Sequence, residues 1–401
     1  MSLKRIITTA AAVSVATAVA GKKAYAWKSS THEHIAMKAL ELLSIDGYNE
    51  AYSFYSPYRE TLAVFTQKPD YKGDVDKGKG WHYYCVTDVN GKKLPSSKNG
   101  YLKSGKNLLS TARYSRNARS IFEDNYQSAL TFYRLGNIEK SMEFVARCVH
   151  MVADVGCTPH TTNLTLTSVQ NSKHKRYEYY TSGVFEKYFA DKGDGEVYNL
   201  FLSDDCFGDC FNELSRKSAS DYDTVVNAHG EDDLCETVER SLCVAQQYVA
   251  AFLLRFYNDA VSSDRGLLSG SRYIVRNAKS GEYICADISD NERFVYCYTD
   301  DDREDASVLT LRISGDGSYT LVCDEAKLPL ASRPFIKPKD KNAAPKDIIH
   351  FKIALTPNGY RITSCDSKYQ KALSQGKLDD MIITQYYNPD DLSQHWIFEK
   401  V

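Results

Sequence analysis

Residues 141–160 read SMEFVARCVHMVADVGCTPH, a stretch typical of an amphipathic helix. Its apolar side chains recur at three- and four-residue steps, at Met142, Val145, Val149, Val152 and Val155. His150 and Asp154 lie four residues apart on a face turned away from that stripe. An imidazole and a carboxylate on one helix face can converge on a single cation. The helix is expected to end before Pro159, which places His160 just beyond it.

Further histidines and carboxylates accompany this pair at related spacings. His174 and Glu178 repeat the four-residue offset, and Asp70 precedes His82 by 12 residues in a loop rich in Gly and Asp. His32 lies in the first helical pattern. A lone His-x-x-x-Asp pair is most often hydrogen-bonded at a surface, but several such groups in one chain are hard to explain as independent accidents. The set predicts a metal site, and Zn²⁺ takes imidazole and carboxylate together at about 2.0–2.2 Å.

The first 26 residues have the pattern of a secretory signal peptide. Lys4 and Arg5 precede an uncharged run over residues 6–20, and residues 24–26 (Ala-Tyr-Ala) fit the small-x-small cleavage pattern. That run is shorter than the ~20 residues needed to span a bilayer. We therefore predict a signal peptide over 1–26, a secreted, extracellular chain that begins at Trp27, and no transmembrane segment after signal removal.

Composition narrows the function classes. Fifty Lys and Arg against 52 Asp and Glu give a net charge of -2, so no overall basic field exists to hold a nucleic-acid backbone, and no stable nucleic-acid partner is expected. Eleven cysteines in an exported chain predict disulfides, and the odd number leaves at least one cysteine outside them.

The hydrophobic pattern changes once along the chain. From about Thr31 to Ser262 apolar residues recur with helical periodicity, whereas beyond residues 263–271 short alternating runs are separated by Gly, Asn and Asp. The predicted fold class is multidomain, with an all-α domain over 27–262 followed by an all-β domain over 271–401.

The order, type and spacing of the candidate ligands resemble the secreted zinc-dependent phospholipase C family, which includes bacillary phosphatidylcholine-hydrolysing enzymes and clostridial alpha-toxins. The family pattern is a mature N-terminal Trp, His-x-x-Ile, Asp-Tyr with a His about 12 residues on, His-x-x-x-Asp-x5-His, and His-x-x-x-Glu 14 residues later. Every position is filled in this sequence, by Trp27, His32, Asp70, His82, His150, Asp154, His160, His174 and Glu178.

The resemblance implies three zinc ions. One would be held by Asp70, His82, His150 and Asp154, and a second by His160, His174 and Glu178. The third would lie between His32, a bridging Asp154, and the amino nitrogen and carbonyl oxygen of Trp27. A free amine exists only after signal removal, so maturation would also be activation.

The resemblance also implies the reaction. The family hydrolyses phosphatidylcholine and related phospholipids at a membrane surface to diacylglycerol and a phosphorylated head group, with a loop aspartate, here Asp70, as the proposed general base. One alternative is a secreted zinc-dependent single-strand nuclease or 3'-nucleotidase, which the short step from Trp27 to His32 favours and Glu178 disfavours. A second alternative is a carbohydrate-binding, toxin-like protein without catalysis. His34 is the rival ligand to His32.

The all-β part contains a weak threefold repeat. Its strand starts lie at Tyr273, Tyr319 and Tyr360, and its closing strands around Leu309, Phe351 and Trp396. Three repeats of this length, the last ending Gln394-His395-Trp396, resemble a ricin-B lectin-like β-trefoil, whose repeats close with Gln-x-Trp. This implies that the domain could bind a glycan, with Trp396 as the candidate residue.

Overall fold

A computed structural model of the chain describes Trp27 and residues 29–78, 81–85, 97–98, 101–106, 112–114, 116–162, 164, 171–262, 266–287, 295–331, 333–334, 350–365, 370–376 and 381–401. The predicted signal peptide, residues 1–26, and residues 263–265 at the predicted domain boundary lie outside these. The N-terminal part is helical and the C-terminal part is built from strands, which confirms the predicted fold class.

Eleven α-helices occur among the described residues. They are α1 (Ser29–Ile45), α2 (Asn49–Tyr55), α3 (Arg59–Phe65), α4 (Ala118–Arg134), α5 (Ile138–Val155), α6 (Thr158–Thr161), α7 (Asn171–Val184), α8 (Gly195–Ser203), α9 (Gly208–Ala219), α10 (Tyr222–Asn227) and α11 (Cys235–Ser262). Short 3-10 helices cover Ser56–Tyr58, Lys68–Asp70, Phe185–Lys187, Asp232–Leu234 and Leu392–Gln394.

Local sequence explains why α4 and α5 form a helical hairpin. The Asn117 side chain accepts a hydrogen bond from the Ser120 backbone N–H at 2.8 Å, and the Ser120 hydroxyl accepts one from the Asn117 N–H at 3.0 Å, which is a capping box. Gly136, with φ at +76°, provides the left-handed turn between the helices. The Asn137 side chain then caps α5.

The helix α5 lies at the centre of the helical part. From Ser141 to Val155 every side chain is buried except those of Glu143 and Arg147, which are mostly buried. Helices α3, α4 and α11 pack around it. Both the apolar stripe and the face that carries His150 and Asp154 are therefore enclosed, so that face points into the protein interior.

A small antiparallel sheet interrupts the helical part, and the sequence pattern does not predict it. Its strands are β1 (Ser97–Lys98), β2 (Tyr101–Lys106) and β3 (Ala112–Tyr114). These strands are two to six residues long, which is too short for a periodic apolar pattern to reveal them.

The C-terminal part has twelve strands among its described residues. They are β4 (Arg272–Asn277), β5 (Tyr283–Asp287), β6 (Val295–Asp300), β7 (Leu309–Ile313), β8 (Tyr319–Cys323), β9 (Leu328–Ala331), β10 (Arg333–Pro334), β11 (Phe351–Thr356), β12 (Gly359–Ser364), β13 (Lys371–Gln375), β14 (Ile382–Tyr386) and β15 (His395–Lys400).

Six of these strands close into a ring, in the order β4, β7, β8, β11, β12 and β15, and β15 pairs back onto β4. The six ring strands contain the strand starts and closing strands of the threefold repeat. The hairpins β5–β6 and β13–β14 lie off the ring. A closed barrel with hairpins between its strand pairs is the arrangement expected of a β-trefoil, as predicted.

The position of Trp396 corrects one expectation. Its side chain is fully buried in the apolar core of the barrel, and its indole N–H donates to the Leu373 carbonyl at 3.0 Å. A ring with no exposed face cannot stack on a sugar. The Gln-x-Trp motif therefore serves the barrel core, and no glycan-binding residue is assigned in this domain.

The structure holds no disulfide among the described residues, which include all eleven cysteines. The prediction of disulfides is therefore not supported. No helix in the described ranges combines the length and apolar character that crossing a bilayer requires.

The two parts of the chain are docked on each other through α4. Arg361 of β12 is fully buried, and its guanidinium pairs with Glu123 at 3.0 Å and with Asp124 at 2.7 Å. The Ser128 hydroxyl donates to the Gly317 carbonyl at 3.1 Å across the same contact. The barrel therefore rests on the helix that packs directly against α5.

We expect Arg361→Met to lower the free energy of unfolding by about 3 kcal/mol, because it leaves two buried carboxylates without this partner. Arg272→Met is the matched control, since Arg272 is mostly exposed and its pair with Asp324, at 2.7 Å, should contribute less than about 1 kcal/mol. Urea unfolding measures both changes. Equal, small losses in the two variants would show that the α4 contact does not hold the domains together.

Candidate metal centre

Six segments of the chain bring the predicted ligand side chains into one buried region. Helix α1 supplies His32, the 3-10 helix Lys68–Asp70 supplies Asp70, residues 81–85 supply His82, α5 supplies His150 and Asp154, α6 supplies His160, and α7 supplies His174 and Glu178. Each of these residues is 6% exposed or less. Groups separated by up to 146 positions in sequence thus meet away from solvent.

Asp154 lies at the centre of a cluster formed with Asp70, His32, His82 and His150. Its Oδ2 lies 2.7 Å from Nδ1 of His82 and 3.0 Å from Nε2 of His150, and its Oδ1 lies 3.4 Å from Nε2 of His32. Asp70 faces the same imidazoles, 3.8 Å from both His32 and His82. Two sets of ligand atoms each lie within 4.8 Å of one another: His32, His150 and Asp154, and Asp70, His82 and His150.

The third group consists of His160, His174 and Glu178, whose ligand atoms also lie within 4.8 Å of one another. Nε2 of His174 is 2.5 Å from Oε1 of Glu178, and Nε2 of His160 is 3.9 Å from the same oxygen. The Tyr83 ring stacks on the His160 ring with centroids 4.3 Å apart. Since Nδ1 of His160 lies 2.7 Å from the carbonyl of His82, this group adjoins the first two.

Backbone carbonyls select which ring nitrogen faces the carboxylates. Three Nδ1 atoms lie within donating distance of a carbonyl: that of His150 at Thr66 (2.7 Å), that of His160 at His82 (2.7 Å) and that of His174 at Leu164 (2.6 Å). His82 has the reverse orientation, with Nε2 3.3 Å from the Asp76 carbonyl and Nδ1 turned to Asp154. Metal-ligating histidines characteristically donate their other N–H in this way.

Several of the ligand atoms are buried without a hydrogen-bond partner, among them Nε2 of His32, Oδ2 of Asp70, Oδ1 of Asp154 and Nε2 of His160. A buried polar atom left unpaired costs about 1–3 kcal/mol. Lone pairs of imidazole nitrogens and carboxylate oxygens that converge in a buried region fit a cation, and this donor set suits Zn²⁺. The residues present therefore fit a divalent metal centre.

Burial also sets the protonation of these groups. It lowers the pKa of the His160 imidazole to about 3, so the ring is neutral at physiological pH and its Nε2 retains a lone pair. It would raise the pKa of the Asp154 carboxyl, but the charges of His150 and His82 outweigh it and hold that pKa well below its ordinary value. Both groups are thus in the form that binds a cation.

Trp27 lies against α5 and α7, two of the helices that supply candidate ligands. It is fully buried, its indole N–H donates to the carbonyl of Ala153 at 2.8 Å, and its ring is 6.1 Å from that of Tyr177. Ala153 precedes Asp154 and Tyr177 precedes Glu178. The contacts of the Trp27 side chain therefore hold this residue beside the candidate metal centre.

His34 does not join the three groups. Its Nε2 lies 3.2 Å from the Tyr188 carbonyl, and its ring meets that of Phe185 edge to face. Two residues from His32 on the same helix, it projects in a different direction. His34, the alternative ligand to His32, therefore contacts Tyr188 and Phe185 instead of the candidate metal centre.

Sequence reasoning missed four polar residues beside the site: Asp74, Asp76, Lys77 and Arg147. Nζ of Lys77 is 2.8 Å from Oδ1 of Asp70. Arg147 pairs with Asp74 and Asp76, more than 70 positions away. The acidic loop was visible in the sequence, but no local pattern connects it to an arginine so distant.

No protein-family model and no curated protein matches the chain. Among solved structures, the alpha-toxin of Clostridium perfringens from avian strain SWCP has 16% sequence identity and a TM-score of 0.49, covering 76% of this chain and 94% of that one. The alpha-toxin of Clostridium absonum has 18% identity and a TM-score of 0.49, with 75% and 89% covered.

A protein described as the BEL beta-trefoil has 21% identity and a TM-score of 0.26, and the likeness covers 34% of this chain and 98% of that one. These likenesses concern the fold. The function proposed below rests on the residues of this chain.

A pH-dependent prediction concerns Glu178 in the metal-free protein. Burial raises the pKa of its carboxyl to about 7, although the adjacent His174 opposes the shift. Stability from this group is therefore complete below the unfolded pKa of 4.5 and is lost as the pH rises through about 7. We expect Glu178→Gln to be stabilised relative to the wild type by roughly 3 kcal/mol more at pH 8 than at pH 4.5, at about 1.4 kcal/mol per pKa unit.

Chemical denaturation in a chelating buffer across this pH range gives the measurement. Glu213→Gln, at an exposed carboxyl, is the control. Added zinc should stabilise the wild type more than Glu178→Gln. A stability difference that does not change with pH would contradict the assignment of Glu178 as a carboxyl buried at a cation site.

Proposed function

We propose that this protein is a secreted, zinc-dependent phosphodiesterase that hydrolyses phosphatidylcholine and related phospholipids to diacylglycerol and a phosphorylated head group. The observation that carries the proposal is the meeting of three adjoining groups of buried imidazoles and carboxylates, several of whose ligand atoms have no hydrogen-bond partner. Order, residue type and spacing of these groups match the phospholipase C motif at every position.

We assign ligands as the motif implies. Asp70, His82, His150 and Asp154 would hold one zinc ion, and His160, His174 and Glu178 a second. His32, Asp154 and the backbone of Trp27 would hold a third. When bound, such ions offset the negative charge of a phosphodiester and stabilise the additional charge of its transition state.

Asp70 is the group we assign to proton transfer. Its Oδ1 is held by Nζ of Lys77 at 2.8 Å, while its Oδ2 is buried without a hydrogen-bond partner. The lysine fixes the plane of the carboxyl, and the second oxygen remains available to orient an attacking water and accept its proton. One oxygen of Asp70 is thus held by Lys77, and the other would orient the water and take up its proton.

Exposed apolar side chains on the loop that carries Asp70 support a lipid substrate. Tyr71 is 43% exposed and Val75 is 57% exposed. Lys68 lies over the Tyr71 ring at 5.4 Å. Apolar groups rimmed by lysine suit the surface of a phospholipid layer better than the backbone of a nucleic acid.

Export of the chain belongs to the same proposal. We infer that residues 1–26 are removed as a signal peptide, so that the amine of Trp27 becomes available. The buried indole of Trp27, hydrogen-bonded next to Asp154, supports a mature N-terminus at the metal centre.

The proposal is tested by assaying protein that begins at Trp27, with its zinc content measured, on phosphatidylcholine vesicles and on single-stranded DNA. We expect zinc in the protein, release of the phosphorylated head group, and no cleavage of DNA. Asp70→Asn should lower kcat by about 10²–10⁴. Asp301→Asn, at an exposed acid of the barrel, should not change kcat. Cleavage of DNA alone would favour the nuclease alternative, and a protein that binds no zinc would refute the proposal.

A second prediction addresses the lipid surface. A buried Val side chain contributes about 1.5 kcal/mol, so Val75→Ser should reduce activity on vesicles about tenfold. Activity on a monomeric, water-soluble phospholipid should stay within about twofold, because the change adds no charge beside Asp74 and Asp76. The control is Val261→Ser, at a residue 45% exposed in the last turn of α11. Equal losses on vesicles and on monomeric substrate would contradict a role for Val75 at the lipid surface.

A further inference from the structure

Arg147 joins helix α5 to the loop of residues 71–78, which lies between the candidate ligands Asp70 and His82 in the sequence. Its Nη1 and Nη2 donate to the two carboxylate oxygens of Asp74, each at 2.8 Å, and Nη1 also donates to Oδ2 of Asp76 at 2.7 Å. The side chains of all three residues are 12% exposed or less. The guanidinium makes a bidentate contact with Asp74 and a single hydrogen bond to Asp76, which fixes both the position and the orientation of the loop.

The same contact reaches His82. The carbonyl oxygen of Asp76 lies 3.3 Å from Nε2 of His82, and Nδ1 of that ring then faces Asp154 at 2.7 Å. Nδ2 of Asn125, in α4, donates to Oδ2 of Asp76 at 3.0 Å. Asp76 is thus held from two helices, while its backbone sets the orientation of a candidate ligand.

Arg147, His150 and Asp154 lie at positions i, i+3 and i+7 of α5 and so share one face of the helix. Asp70 precedes the loop and His82 follows it in the sequence, and the helix supplies His150 and Asp154. Arg147, one helical turn before His150, therefore holds the loop between Asp70 and His82 against the face of α5 that carries His150 and Asp154.

The first half of the loop buries little apolar surface. Tyr71 and Val75 are exposed, and Gly73 has φ at +92° with nothing within 4 Å of an added Cβ. Without apolar burial, ordering such a segment costs about 1–2 kcal/mol per residue in backbone entropy, which a bound ion would otherwise have to offset. A buried ion pair in general is weak evidence for stability, but one tied to a ligand-bearing loop points to positioning.

We propose that Arg147, acting through Asp74 and Asp76, is a positioning residue that preorganises Asp70 and His82 for metal binding. This inference rests on the proposed metal centre, but the orientation of His82 is set by protein groups and exists without the ion. Outer partners of metal ligands typically change affinity 10–100-fold when they are removed.

The test compares wild type, Arg147→Met and Arg147→Lys by competition titration with zinc. We expect the methionine variant to bind the ion assigned to Asp70 and His82 10–100-fold less tightly. The lysine variant should be intermediate, because an ammonium cannot bridge Asp74 and Asp76 with a rigid fork. Arg255→Met is the control, since Arg255 is even more buried than Arg147 and pairs with Asp259 at 2.9 Å on α11. It should lower thermal stability and leave zinc affinity unchanged.

A second measurement is independent of metal. NMR of the metal-free protein should show one set of His82 ring resonances in the wild type and in Arg255→Met. In Arg147→Met the same resonances should be shifted or broadened by exchange, because the Asp76 backbone that fixes the ring is no longer held from α5. Unchanged zinc affinity and unchanged His82 ring resonances in folded Arg147→Met would overturn the inference. A wild type that binds no zinc but keeps a single His82 ring orientation, lost in Arg147→Met, would refute the proposed function and leave the positioning role standing.

Discussion

The carboxylate of Asp154 is the group on which the helical domain depends. A charge with no exposure to water is costly, and a protein keeps one only where opposite charge or hydrogen bonds surround it. Asp154 lies between imidazoles from α1, α5 and the segment around His82, so each of these elements must pack closely enough to reach it. Burial of one side chain thus constrains the relative positions of three segments far apart in sequence.

The same constraint explains the polarity of the surrounding core. Protein interiors rarely hold so many histidines and acids without a partner for each polar atom. Here backbone carbonyls satisfy one nitrogen of His150, His160 and His174, and the opposite nitrogen is left facing a carboxylate. The donor atoms of such an interior fit a cation, whose binding would contribute to the stability of the fold.

The β-trefoil part is coupled to this centre through successive contacts. Arg361 pairs with acids of α4, and Asn125 of α4 holds Asp76, whose carbonyl faces His82. Buried charge between domains makes a contact specific in register, since any shift would leave a carboxylate unpaired. The barrel is therefore a fixed part of the architecture, and its Gln-x-Trp tryptophan serves its own core.

Local sequence predicted the long helices and the repeat, because each rests on spacing along the chain, and it singled out the histidines and acids that the fold brings together. The four-residue step from His150 to Asp154 places both on one helix face whatever surrounds it. The threefold recurrence of Tyr273, Tyr319 and Tyr360 likewise predicted the first ring strands. Spacing could not predict that Trp396 is enclosed or that Arg147 holds an acidic loop. Those features depend on which surfaces meet after folding, and only the tertiary structure decides between burial and exposure for a given side chain.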